Sequence, residues 1–259
     1  MKRIVIAILL LSLLLSGCGR DESVKHFADG RRIACAVQTE LSRFYPLANA
    51  LEADPNFVIE YAACILLCRI DAMEDVGATR AVAGTDDENP YVWTLNYSYS
   101  ATAKQVLFAR EGDVKQGDAL SFSAGSGMVR INDLKHLLPP QEVTALGIDL
   151  HRQYSDSDYI ATAMGNTIPI EVGKTYLVFL NEEDGYYSDC GFGELYECDG
   201  ETVYAGWDMK RSETSSAELI EQTRARIEAR SGIFDEMSRY ERLEYIEAHY
   251  GNAETTEAP

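Results

Sequence analysis

The sequence predicts an α+β fold that is mainly β, with an antiparallel five-stranded barrel flanked by N-terminal and C-terminal helices. Residues 93–104 alternate apolar and polar side chains, which is typical of a long strand with one packed face and one solvated face. Near the C-terminus the apolar positions change to helical spacing after Ser215 and Glu218, a capping-box pair that satisfies free N–H groups at a helix start. The strands therefore precede a helical end.

The first seventeen residues have the three-part composition of an export signal. Lys2 and Arg3 provide a positive start, residues 4–15 are apolar with one serine, and small residues precede Cys18. This apolar run is shorter than the roughly 20 residues that span a bilayer. We expect residues 1–17 to be a cleaved signal peptide; an uncleaved N-terminal membrane helix is the alternative.

The end of this signal, Leu15, Ser16, Gly17 and Cys18, resembles the lipobox of bacterial lipoproteins. The resemblance implies that Cys18 carries a covalent diacylglycerol, with no other cofactor, and that residues 18–30 are the anchor and a short tether. The expected location is the extracytoplasmic face of a cell membrane, with the membrane lipid as the first partner. An ordinary secretory signal without lipid remains the alternative.

The charge of the chain argues against nucleic acid as a partner. The net charge is −19, and removal of residues 1–17, which hold two basic and no acidic residues, lowers it to −21. Such a chain is repelled by phosphate backbones and, on average, by anionic lipid headgroups.

Between tether and tail, we predict three regions. Residues 31–62 form a helical lead-in, residues 63–205 the barrel and residues 206–251 a helical extension, before a disordered tail at 252–259. The segment 57–73 is compatible with helix or strand because it is long and apolar yet rich in Ile, Val and Cys. We interpret it as a short helix to about Ala62, followed by a buried strand.

The barrel prediction also rests on a resemblance. A buried strand at 65–72 and an amphipathic strand at 93–107 precede Gly117 and Asp118, a strand at 120–124, and then Gly173 and Lys174 before an apolar strand. This order resembles the OB-type barrel of tissue inhibitors of metalloproteinases and netrin modules. In those inhibitors a terminal cysteine amine binds the protease zinc, whereas here the corresponding cysteine would carry lipid. The resemblance therefore implies a barrel and no activity.

Five cysteines follow the anchor: Cys35, Cys64, Cys68, Cys190 and Cys198. Cys64 and Cys68 have a spacing seen in zinc sites, but in a strand their Cα atoms are about 13 Å apart, so we expect buried free thiols and no metal. Cys190 and Cys198 flank a short glycine-containing segment and are a candidate disulfide.

No catalytic motif is visible in the sequence, so we predict a protein that is not an enzyme. The first hypothesis is a binding or structural module that recognises an envelope protein, peptide or glycan. Exposed tyrosines stack on such ligands, and the candidates are Tyr154, Tyr159, Tyr186 and Tyr187. The alternative is an envelope hydrolase that uses scattered Asp, Glu and His residues brought together by the fold.

Overall fold

The computed structural model describes residues 25–26, 32–39, 50, 54, 56–82, 91–110, 114–164, 167–183, 185–190 and 194–250. The predicted signal peptide, Cys18, most of the tether and the predicted tail at 252–259 lie outside these residues. The elements in chain order are β1 (Lys25–His26), β2 (Arg32–Thr39), α1 (Phe57–Tyr61), β3 (Cys64–Val82), β4 (Tyr91–Ala109), β5 (Ala119–Ala124), β6 (Gly127–Arg130), α2 (Ile131–Leu137), α3 (Pro140–Ala145), β7 (Asp158–Met164), β8 (Thr175–Glu183), β9 (Tyr186–Asp189), β10 (Tyr196–Asp199), β11 (Thr202–Ala205), β12 (Lys210–Arg211), α4 (Ser216–Glu228) and α5 (Arg239–Tyr250). The fold is mainly β with helices, as predicted.

A four-stranded sheet, ordered β1, β2, β7, β6, contains a strand that the sequence analysis missed. β2 lies where a helix was predicted, and it runs parallel to β7, so the predictions of a helix there and of a purely antiparallel fold are wrong. Alanine and glutamine in β2 favour helix, whereas Ile33 and Val37 favour strand. Pairing with β7, more than 120 residues later in the chain, decides between the two.

The larger sheet has eight strands in the order β12, β11, β10, β8, β3, β4, β5, β9. β9 also pairs with β8, so the pairings run from β3 through β4, β5, β9 and β8 back to β3. In this circuit β5 and β9 are parallel, through Phe122 opposite Tyr187 and Ser123 opposite Ser188. The remaining four pairings are antiparallel.

The ambiguous segment at 57–73 has the interpreted order of a short helix followed by a strand. α1 ends at Tyr61 and β3 begins at Cys64, so the change of structure near Ala62 is confirmed. β3 continues to Val82, well beyond the predicted end at Met73, because several register shifts allow it to follow β4. Together β3 and β4 form a hairpin of two 19-residue strands.

The alternation in β4 is confirmed by its burial pattern. Leu95, Tyr97 and Tyr99 are buried, while Asn96 and Ser98 are exposed. The buried side chains pack between the two sheets, where Val129 of β6 and Ile160 of β7 join the same core cluster. The Thr162 hydroxyl of the smaller sheet donates to the Tyr97 oxygen at 3.0 Å, which links the two sheets within the core.

A second core cluster lies on the other face of the larger sheet. Ile65 of β3 and Leu177 and Phe179 of β8 face it, while Cys64 and Leu66 face the first cluster. Both faces of these strands are covered, which explains why the sequence around Ile65 is apolar without alternation.

Ile246 of α5 and Phe234, in the segment between α4 and α5, cover this second cluster. The predicted capping box is confirmed, since the Ser215 hydroxyl accepts from the Glu218 N–H and the Glu218 carboxylate from the Ser215 N–H. The strand β12 lies inside the region predicted to be only helical. No helix in the described part of the chain is long and apolar enough to cross a membrane.

Candidate functional site

The four tyrosines predicted to form a binding surface lie on different parts of the fold. Tyr186 and Tyr187 belong to β9 of the larger sheet, whereas Tyr159 belongs to β7 of the smaller sheet and Tyr154 precedes that strand. Tyr186 is 78% exposed, while the other three are half-buried. The structure therefore divides this predicted surface between the two sheets.

Tyr154 is held by its neighbours on the segment that leads into β7. The Lys135 ammonium and the Arg152 guanidinium lie 4.6 Å and 5.1 Å from the centre of its ring. Its hydroxyl accepts from the backbone N–H of Asp149 at 3.2 Å. These contacts give Tyr154 a structural role in fixing this segment against α2.

The candidate disulfide between Cys190 and Cys198 is not formed, and both residues are buried free thiols. Cys190 follows β9 and its N–H donates to the carbonyl oxygen of Phe179, while Cys198 lies in β10, one position beyond the pairing of Glu197 with Tyr176. Since β3 occupies the other edge of β8, β9 and β10 pair with the same edge, and the two cysteines are separated by about four residue positions along β8, or about 13 Å. Disulfides need Cα atoms less than about 7 Å apart.

Cys64 and Cys68 are buried free thiols, as the sequence analysis expected. Burial raises the pKa of Cys64 to about 12 and raises the pKa of Cys68 further. Both sulfurs are therefore protonated at neutral pH and are poor nucleophiles. Within the described ranges, no three His, Cys, Asp or Glu side chains are grouped so that they could hold a metal ion.

A cleft of about 300 Å³ lies between α1, the end of α4 and α5, and we call it the helical cleft. It is lined by Asp54, Asn56, Phe57, Ile59, Glu60, Arg226, Ala229, Arg230, Ser231, Ile233, Phe234, Tyr245 and Tyr250. Its volume is at the lower end of the range for small-molecule sites.

The floor of the helical cleft is a network of aromatic rings. Phe57 lies edge-on to Phe234 at 5.8 Å and edge-on to Tyr250 at 5.7 Å between ring centres. Phe234 lies edge-on to Tyr245 at 5.5 Å. Phe57 and Phe234 are almost completely buried, so Tyr245 and Tyr250 are the rings that reach the opening. Edge-to-face rings stabilise one another beyond their buried area and give a rigid floor.

Arg226 forms one side of the rim and is held in a fixed position. Its two terminal nitrogens donate to the two carboxylate oxygens of Glu194, each at 2.8 Å, and its Nε donates to Asn56 at 3.1 Å. Burial acts to lower the pKa of Arg226, but the hydrogen bonds and charge of Glu194 outweigh it and raise this pKa above its ordinary value. The guanidinium is a permanent, oriented positive charge.

Glu60 forms the opposite side of the rim and joins α1 to the segment after α4. Its carboxylate accepts from the backbone N–H groups of Ser231 and Gly232. Gly232 has a φ of +70°, a left-handed conformation that presents its N–H in this way. The contact fixes the distance between the two walls of the cleft.

A cluster of arginines around Asp235 lies behind this wall. Arg230 binds the Asp235 carboxylate through both terminal nitrogens, at 2.8 Å and 2.5 Å, and Arg110 approaches it at 3.3 Å. Arg110 also donates to the carbonyl oxygens of Glu60, Tyr61 and Ala62 at the end of α1, where a helix supplies no donors of its own. Arg110 therefore connects α1 to the segment that carries Phe234.

The ionisable rim residues are all engaged with other groups of the protein. Asp54 accepts from the N–H of Asn56 at 2.8 Å, and Glu60, Arg226 and Arg230 have the partners described above. The rim thus presents fixed charges and amide groups around an aromatic floor, an arrangement suited to holding a ligand.

The helical cleft could not be predicted from the sequence because its walls are about 170 residues apart in the chain. The capping box at Ser215 predicted α4, but no local pattern indicates that α4 and α5 pack on α1. No protein-family model matches the chain, and no curated protein shows significant sequence similarity to it.

Proposed function

We propose that this protein is a membrane-tethered binding module on the extracytoplasmic face of the cell envelope, and that the helical cleft is its ligand site. The observation that carries the proposal is the engagement of Asp54, Glu60, Arg226 and Arg230 with other protein groups around a floor of aromatic rings. Groups held in this way recognise a ligand without reorganising, whereas proton transfer needs an acid or base that exchanges partners.

The tether in this proposal is diacylglycerol on Cys18. It is supported by the positively charged, apolar and small-residue segments that end at Cys18. Two acyl chains hold a protein on a bilayer far more firmly than one. Incorporation of labelled fatty acid into the full chain, and its loss in Cys18→Ser, tests this step. Equal labelling of both proteins would contradict it.

We also propose that the closed circuit of strands β3, β4, β5, β9 and β8 is an OB-type barrel. The proposal is supported by the parallel pairing of β5 with β9 and by the placement of α2 and α3 in the connection between β5 and β8. This architecture is a scaffold shared by proteins with different activities. The barrel architecture therefore does not indicate which ligand is bound; in this proposal the helical cleft determines the ligand.

The chemistry of the helical cleft favours a short peptide or a glycan of the envelope. Tyr245 and Tyr250 offer ring faces for stacking against a sugar or an apolar side chain. Asn56, Glu60 and Arg226 offer donors and acceptors at the rim. A cleft of about 300 Å³ accommodates one or two rings or side chains, so the ligand would insert only a part of itself.

Site-specific photo-crosslinking in intact cells tests the cleft. A photoreactive phenylalanine analogue replaces Tyr250, which lines the cleft, or Tyr240, which lies in the same helix and is 79% exposed outside it. We expect a discrete adduct from position 250 and none from position 240. Ser231→Trp, which places a large side chain in the opening, should abolish this adduct.

The hydrolase alternative is tested on the same protein. Purified residues 19–259 are screened against peptidase, esterase, glycosidase and phosphatase substrates, and then compared with Glu60→Gln and Asp54→Asn. Turnover that one of these substitutions removes would overturn the binding-module proposal. Equal crosslinking at positions 240 and 250 would overturn the assignment of the cleft.

A further inference from the structure

The outer face of the smaller sheet is a separate surface with its own chemistry. Ile33 of β2, Tyr159 of β7 and Arg130 of β6 lie directly opposite one another and form one row across the sheet. Residues directly opposite in neighbouring strands point to the same face. Ile33 is buried, Tyr159 is half-buried and Arg130 is exposed, so the row runs from an apolar centre to a charged edge.

The turn between β11 and β12 packs on this face. Trp207 and Met209 contact the cluster that Ile33, Met128 and Ala161 form there. Trp207 is half-buried, and the open depression beside it is lined also by Lys210 and Arg211, both exposed. An indole, a phenol and three cationic side chains thus share one side of the molecule, which we call the Trp207 face.

This face is close to the point where the tether enters the fold. β1 pairs with β2 through Lys25 opposite Ile33, and the row continues to Tyr159 and Arg130. Three strand spacings separate Lys25 from Arg130, or about 14 Å. The seven residue-to-residue steps from the Cα atom of Cys18 to that of Lys25 can span at most about 24 Å. A lipid on Cys18 therefore brings the Trp207 face within a short distance of the bilayer.

The side chains of this face match the chemistry of a bilayer surface. Tryptophan and tyrosine are enriched at the boundary between acyl chains and headgroups, where an apolar ring and a polar atom are both satisfied. Arg130 and Lys210 have the acidic neighbours Asp133 and Asp208, at 3.9 Å and 2.7 Å, while Arg211 adds a further positive charge. Asp156 also lies near Arg130, so the three cations of this face are balanced by three carboxylates, and the face is nearly neutral in a chain of net charge −19.

We propose that the Trp207 face lies against the anionic headgroups of the membrane and sets the orientation of the molecule. The proposal rests on the lipid anchor of the proposed function. Because the anchor keeps the face near the lipid, weak contacts from Trp207, Tyr159 and Arg211 are sufficient to select one orientation. The chain as a whole is repelled by anionic lipid, which disfavours the other orientations.

Tryptophan fluorescence tests this orientation, since the chain contains two tryptophans, Trp93 and Trp207. The full lipidated protein is reconstituted in phosphatidylcholine vesicles that contain phosphatidylglycerol with brominated acyl chains. In Trp93→Phe, we expect the emission of Trp207 to be quenched and blue-shifted relative to vesicles without bromine. In the matched variant Trp207→Phe, we expect the emission of Trp93 to be the same in both kinds of vesicle.

A charge reversal gives a second readout that keeps the tryptophan in place. Arg211→Glu, combined with Trp93→Phe, should lose most of the quenching of Trp207 without a change in the thermal unfolding temperature. Mass spectrometry shows whether Cys18 carries lipid. If it does and Trp207 is not quenched, the orientation is wrong while the lipid anchor stands. If it does not, the lipid anchor is wrong; the protein is then mixed with the same vesicles, and an unquenched Trp207 contradicts the orientation as well.

Discussion

The hydroxyl oxygen of Tyr99 occupies the position next to the Cα of Gly127 where any other residue would place its Cβ. A Cβ built on Gly127 would lie 2.1 Å from that oxygen and 2.8 Å from two ring carbons of Tyr97. Tyr97 and Tyr99 stack at 5.8 Å between ring centres and are completely buried, so neither ring has space to move. The close packing of β6 on β4, and thus of one sheet on the other, requires glycine at this position.

We therefore predict that Gly127→Ala destabilises the protein by about 1–3 kcal/mol, the usual cost of overpacking a core. Equilibrium urea unfolding measures the change. Gly77→Ala is the matched control, because a Cβ at Gly77 meets no atom within 4 Å. A Gly127→Ala protein as stable as the control would show that the two sheets do not pack as described.

Tyr99→Phe probes the same contact from the other side. The Tyr99 hydroxyl is buried and has no hydrogen-bond partner among the described residues. Removing it leaves no new unsatisfied group, so we expect Tyr99→Phe to be neutral or stabilising, in contrast to the usual loss for a buried tyrosine hydroxyl. In Gly127→Ala combined with Tyr99→Phe, the two effects should not be additive. A clear loss of stability in Tyr99→Phe alone would contradict the prediction.

Phe234 is the residue on which the helical cleft depends most. It is almost completely buried and its ring contacts those of Phe57, Tyr61 and Tyr245. We predict that Phe234→Ala costs about 3–5 kcal/mol, since it leaves a cavity among aromatic rings. Tyr240→Ala, whose ring is 79% exposed, should change stability by less than about 0.5 kcal/mol. Thermal unfolding followed by circular dichroism compares the two, and similar losses would refute the described packing of the C-terminal helices.

Asp235 makes the stability of this region depend on pH. Burial acts to raise the pKa of Asp235, but the hydrogen bonds and charge of Arg230, helped by Arg110, bring this pKa below its ordinary value. A carboxylate with a lowered pKa stabilises the fold above its unfolded-state pKa, and this contribution is lost as the pH falls through the folded-state pKa.

We therefore predict that Asp235→Asn is less stable than the parent protein near pH 7 and that the difference diminishes below about pH 4. Urea unfolding across this pH range provides the measurement. Glu236→Gln, which removes a neighbouring exposed carboxylate, controls for the loss of one negative charge. A stability difference between Asp235→Asn and the parent that does not vary with pH would rule out the Arg230 contact as its origin.

The cysteines provide a test of the registers of β9 and β10 along β8. We predict that Cys190 and Cys198 remain free under non-reducing conditions, because about four residue positions along β8, or about 13 Å, separate them. In the Cys18→Ser protein, a thiol reagent at neutral pH should modify Cys35 first, since Cys35 is half-buried while the other four are buried. All five should react at similar rates in denaturant. A Cys190–Cys198 bridge found by mass spectrometry would contradict these registers.

The sequence by itself determined the elements whose signals are local. The alternation in β4 predicts which side chains are buried, since successive residues of a strand point to opposite faces. The pair Ser215 and Glu218 predicts where α4 begins because a capping box involves four consecutive residues. The change from α1 to β3 near Ala62 was also interpreted correctly from composition and length.

Only the tertiary structure decided the features that depend on distant partners. β2 is a strand because β7 supplies its hydrogen bonds, although its own composition also suits a helix. Cys190 and Cys198 are near in sequence, yet they are separated in space because β9 and β10 pair with different parts of one edge of β8. The helical cleft joins Glu60 to Ser231, and the Trp207 face joins Ile33 to Trp207. The residue type determines the chemistry of a side chain, but the packing of buried surfaces from the whole chain determines which other groups it contacts.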